Sequence, residues 1–102
     1  MKTLLYVTLA IAALSTACKK DSKTFTPDCS GAAKSYSANV EPIIVASCAS
    51  CHNEYLDYIN VKNDSKAIRS TIIDGSMPEK ETLSTEHKNT IVCWIDNGCL
   101  DN

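Results

Sequence analysis

What this chain lacks narrows its identity before any motif is read. No stretch alternates apolar and polar residues as a half-buried strand does, so sheet architectures and the βαβ unit are excluded and the pattern is all-α. No internal repeat is visible. No basic patch, and no interleaving of aromatic with basic residues, marks a nucleic-acid surface. Ten Lys and Arg stand against twelve Asp and Glu in 102 residues, a mild acidity that singles out no class of partner. No apolar run reaches the roughly 20 residues that a membrane-spanning helix needs. Histidine and methionine are scarce too, with two of each. Cysteine is the exception, at six residues.

The N-terminus carries an export signature. Lys2 gives a positive start, Leu4 to Leu14 is almost unbroken apolar sequence, and the run stops at Ser15-Thr16. That is the layout of a signal peptide. Leu14-Ser15-Thr16-Ala17-Cys18 resembles the bacterial lipobox, in which small residues precede an acylated cysteine, and polar Lys19-Lys20-Asp21-Ser22 follows at once. The resemblance implies that Cys18 becomes the first residue and carries several acyl chains, enough for a stable anchor. The expected layout is a lipoprotein signal peptide over residues 1–17, lipidated Cys18 with a flexible tether over 18–28, and one domain over 29–102. The tether assignment rests on the polar, proline-containing stretch from Lys19 to Asp28. The expected location is outside the cytoplasm, lipid-anchored to a bacterial membrane and facing the periplasm or the cell surface. A domain this small buries a limited core and needs a staple.

Helix signals recur along the domain. Ser37 or Asn39 is placed to cap a helix with Val40, Ile43 and Ile44 on its apolar face and Pro42 in its first turn, where a missing N–H does no harm. A short helix is expected between Asn53 and Asn63. Asp64 or Ser65 caps the next, with Ala67, Ile68, Ile72 and Ile73 at helical spacing and Gly75 just past its end. Ser84 caps the last, with Ile91, Val92, Trp94 and Ile95 inside and Gly98 at the stop.

Cys48-Ala49-Ser50-Cys51-His52 is the most specific feature. Residues i and i+3 share one face of a helical turn, so both thiols can reach the two vinyl groups on one edge of a porphyrin. The next side chain, His52, can offer its nitrogen to the iron. CxxCH is the spacing that covalent haem c attachment uses, and the exported context suits it. A sixth ligand would have to come from very few residues. Met77 lies in a loop ahead of the final helix, and Pro78 restricts its backbone, so Met77 is the expected thioether ligand. His87, in the polar first turn of the last helix, is expected to be solvated.

With these residues in view, Ser37 to Asn102 resembles a class I mono-haem cytochrome c domain, and most of all the small lipoprotein cytochromes of Bacteroidetes-type bacteria. The matching pieces are Val40-Glu41-Pro42-Ile43-Ile44, Cys48-Ala49-Ser50-Cys51-His52, Gly75-Ser76-Met77-Pro78 and Cys93-Trp94-Ile95-Asp96-Asn97-Gly98. The resemblance implies a small helical domain wrapped around haem, with its first and last helices crossing through Val40, Ile44, Ile91, Trp94 and Ile95. It also implies an electron carrier rather than an enzyme, working between a redox protein donor and acceptor. Two departures stand out. The stretch from His52 to Met77 is short, which implies abbreviated middle helices, and Cys99 replaces a small apolar residue.

An oxidising compartment favours a disulfide among the remaining thiols. Cys29, Cys93 and Cys99 allow three pairings, and sequence alone does not choose among them. Cys29–Cys93 is favoured because it would tie the start of the domain to the last helix, with Cys29–Cys99 second and Cys93–Cys99 last. Two rival functions remain. One is a haem sensor or peroxidase-like protein with an open sixth position. The other is a small zinc or disulfide module in which Cys48, Cys51, His52 and another cysteine hold the metal.

Overall fold

The computed structural model describes residues 24–102. The signal-peptide reading of residues 1–17, the lipidation of Cys18 and most of the tether lie outside the described residues. The described chain is helical, with no strand. A wide π-helical turn, Tyr36–Val40, runs into α1 (Glu41–Ser47). A 3₁₀ turn, Asn53–Leu56, leads to α2 (Tyr58–Asn63), and α3 (Ser65–Asp74) and α4 (Thr85–Asp96) follow. None of these helices is long and apolar enough to cross a membrane.

The helix boundaries follow from local chemistry. α4 starts where Ser84 accepts from the His87 N–H at 3.1 Å, and α3 stops at Gly75, whose φ of 78° is left-handed. The first helical segment starts earlier than the caps at Ser37 or Asn39 would have it. Ser35 accepts from the Ala38 N–H at 3.2 Å, while the Ser35 N–H donates to Asn39 Oδ1 at 3.0 Å. This is the reciprocal logic of a capping box, with the returning side chain four residues on because the turn is wound wider. Asn39 is therefore the return partner of the cap, not the cap. Pro42 stands in the first turn of α1. The segment from Asn53 to Asn63 holds two short helical pieces, because Asp57 breaks it with an extended backbone and caps α2 through the Ile59 N–H.

The core is one cluster. Val40, Ile44, Val61, Ile91, Val92 and Trp94 are its largest fully enclosed side chains. α3 supplies the main packing against α4, and the π-helical turn adds a second contact. Val40, Ile44, Ile91 and Trp94 share the one buried cluster, with Ile95 at its margin. Polar anchors hold the C-terminal tail across this core. Trp94 Nε1 donates to the Leu100 carbonyl at 2.9 Å, the Tyr58 hydroxyl donates to the Cys99 carbonyl at 2.6 Å, and the Ser37 N–H donates to the Asn102 carbonyl at 3.0 Å. Cys99 is a buried free thiol whose backbone is left-handed, at φ 55°.

Cys29 and Cys93 form a disulfide, the favoured pairing. Contacts reach back before Cys29. The Phe25 N–H donates to the Ile73 carbonyl at 2.9 Å, the Lys88 ammonium lies 5.3 Å from the Phe25 ring centroid, and the Asp28 N–H donates to Asn89 Oδ1 at 2.8 Å. The packed unit thus includes residues that composition alone assigns to the tether.

Candidate functional site

α1 delivers the CxxCH segment without a break in hydrogen bonding. The Cys48 N–H closes the helix on the Ile44 carbonyl at 2.9 Å, and the His52 N–H then returns to the Cys48 carbonyl at 2.9 Å. This turn forms one wall of a mostly apolar cleft of about 640 Å³, a size usual for small-molecule and cofactor sites. Ala67, Ile68 and Thr71 of α3 form the facing wall, Tyr55 closes one end, and Met77 to Glu81 cross the remaining side.

Cys48, Cys51, His52 and Met77 all line this cleft. Met77 is brought back to it by the turn after α3. Gly75 takes the left-handed conformation, the Ser76 N–H donates to Asp74 Oδ1 at 2.8 Å, and the Met77 N–H donates to the Thr71 carbonyl at 3.2 Å. The Met77–Pro78 peptide bond is cis. Buried Leu83 pins the far end of the loop. His87 is not brought to the site and stays exposed on α4. Cys29 and Cys93 sit beside a second, smaller cleft of about 340 Å³.

The local electrostatics follow from burial and neighbours. Cys48 is half-buried and Cys51 exposed. Burial first, and then the charge of Glu81, push the Cys48 thiol above its ordinary value. His52 stacks on Tyr55, with ring centroids 5.0 Å apart and planes 20° apart. The Tyr55 hydroxyl donates to Asp64 Oδ2 at 3.1 Å, and burial together with that bond pushes its phenol up to about 12. His52 Nδ1 lies 3.2 Å from Glu54 Oε1. The Glu54 carboxyl is held below its ordinary value by its own backbone hydrogen bond first and by His52 second.

Glu54 is the residue that motif reading passes over. Its only signal is an acid two positions after the motif histidine, at the start of a tight turn. Among the described residues no three His, Cys, Asp or Glu side chains converge as a metal site. No protein-family model matches the chain, and no curated protein or solved structure matches it either.

Proposed function

We propose that this protein is a one-electron carrier of the c-type cytochrome kind, working outside the cytoplasm on a lipid anchor. One observation carries the reading. The two cysteines and the histidine of CxxCH share a single apolar cleft with Met77, the one methionine beyond Met1. The donor set and the space suit haem c. Cys48 and Cys51 would hold it through thioether bonds, and His52 and Met77 would ligate its iron. Haem bound in this way supplies a ferrous–ferric couple.

The chain's own residues then decide how such a couple behaves. Two protein ligands leave no position for a substrate, which suits electron transfer better than catalysis. A thioether ligand from Met77 would raise the reduction potential relative to two nitrogen ligands. The apolar side chains of Ile68, Ala67 and Pro78 in the lining would act in the same direction by disfavouring the extra charge of the ferric state. Cys51, exposed at the mouth, marks the edge through which electrons would pass to redox protein partners. The covalent bonds to Cys48 and Cys51 prevent loss of the group outside the cell interior, and acylated Cys18 keeps the carrier at the membrane.

The test is the absorption spectrum of the mature protein, oxidised and reduced, produced in a host with a c-type haem maturation system and repeated after acid–organic extraction. The expected result is haem that stays with the protein, a low-spin spectrum and a far-red methionine–iron band that Met77→Ala abolishes. Retained haem with a high-spin, ligand-accepting spectrum would transfer the function to sensing or peroxidase chemistry. Absence of covalent haem would overturn the reading.

A further inference from the structure

His52 is held on two sides, and the hold selects one of its nitrogens. The turn that carries it is closed by the Tyr55 N–H on the His52 carbonyl at 2.9 Å. The Glu54 main chain is fixed by two donors on its carbonyl, the Asp57 N–H at 3.3 Å and Asn60 Nδ2 at 3.0 Å. Tyr55 lies flat against the imidazole and is itself tethered to Asp64. The ring is therefore set between an aromatic face and a carboxylate whose own backbone cannot drift.

An ionised carboxylate only accepts hydrogen bonds. The atom that donates across the 3.2 Å contact to Glu54 Oε1 must then be Nδ1–H, and in the neutral imidazole the lone pair is left on Nε2. We infer that Glu54 is the positioning residue of His52, taking its Nδ1–H and so fixing the tautomer that presents the Nε2 lone pair to the cleft. Metal-binding histidines in general have their second nitrogen engaged by a carboxylate, carbonyl or water, which sets ring orientation and ligand basicity. Resting on the proposed haem function, a second consequence follows. An anionic partner makes Nε2 a stronger donor than a neutral acceptor would, which favours ferric iron. Glu54 would thus lower the potential that Met77 and the apolar lining raise, and the carrier's potential would be a balance between the two.

The test has one arm that needs no haem. The mature chain, made without haem maturation and labelled with ¹⁵N-histidine, is examined by long-range ¹H–¹⁵N correlation at a pH of about 8, above the usual imidazole range. His52 in the wild type is expected as the Nδ1–H tautomer, and Glu54→Ala is expected to move it toward Nε2–H. His87 serves as the internal control and should not change. A wild-type His52 found mainly as Nε2–H, or a tautomer indifferent to Glu54→Ala, overturns the inference whether or not the protein takes up haem. The second arm is the reduction potential of the haem-loaded protein. Glu54→Gln and Glu54→Ala should both raise it while the low-spin spectrum persists, and an unchanged or lowered potential refutes the electronic role. A chain that never acquires haem refutes the proposed function alone, because the tautomer still decides this one.

Discussion

Tyr36 presents a clean perturbation. Its side chain is 5% exposed, and its ring packs edge-on to Tyr58 at 5.0 Å and tilted to Trp94 at 5.3 Å. Its hydroxyl is buried and has no hydrogen-bond partner among the described residues. Tyr36→Phe keeps every ring contact and deletes only that oxygen. Burying an unpaired hydroxyl costs roughly 1–3 kcal/mol, and the void left by one oxygen, at about 24 cal/mol per Å³, returns only a few tenths of that. The variant should therefore be more stable by about 1 kcal/mol, a rise in Tm of roughly 4–8 °C for a domain of this size. Urea unfolding followed through the single tryptophan, Trp94, reads the change as a shifted midpoint at unchanged slope.

A second arm uses pH. Burial, and then the charge of Glu41, raise the Tyr36 phenol above its ordinary 10.0. The unfolded chain ionises first, so the wild type should lose stability as pH rises above about 10 toward the raised native value. Tyr36→Phe should lose less over the same range, and below pH about 10 this contribution should be flat in both. A Phe variant destabilised by 1 kcal/mol or more would refute the reasoning, because the hydroxyl would then have to be satisfied in solution.

Three further outcomes follow from the geometry. Replacing both Cys29 and Cys93 by Ser removes a link across a sequence separation of 64, worth roughly 4 kcal/mol in the chain-entropy account, and should shift the urea midpoint accordingly. In the haem-free protein, timed alkylation with mass analysis should label exposed Cys51 first, half-buried Cys48 more slowly, and buried Cys99 only on unfolding. Equal rates for Cys48 and Cys51 would contradict the burial at Cys48. Gly75→Ala adds a Cβ that meets nothing within 4 Å, so its cost should be the left-handed backbone alone, about 1 kcal/mol. A loss well beyond that in thermal unfolding would show that the α3 turn is held by more than its glycine.

How far the sequence could be read depended on how local each feature is. α4 was legible because Ser84, its apolar repeat and Gly98 act within one helix, and the same is true of α3 with Gly75. The first helix was misplaced at its start because a π-helical turn shifts the return bond from Ser35 by one residue, and no periodic signal announces that. The break at Asp57 was hidden for a similar reason, since it divides a segment too short to show a period. CxxCH was legible because its chemistry is written in five adjacent residues. The facing wall from Ala67, Ile68 and Thr71 was not, because only the packing of α3 brings it opposite the motif. Phe25 read as tether because a single aromatic in a polar stretch gives no hint of the Ile73 carbonyl that its N–H finds.

The Cys29–Cys93 bond also changes the topology of the molecule. Every residue lining the larger cleft, from Ala46 to Glu81, lies between these two cysteines in the chain. The site is thus part of a closed covalent ring that runs from Cys29 to Cys93. A protease that cuts once within residues 30–92 opens the ring and releases nothing, since both pieces stay joined through sulfur. A nick in the exposed stretch around Glu79, Lys80 and Glu81 would leave a two-chain protein of unchanged mass apart from one added water. Only cutting and reduction together separate the half that carries CxxCH from the half that carries α4.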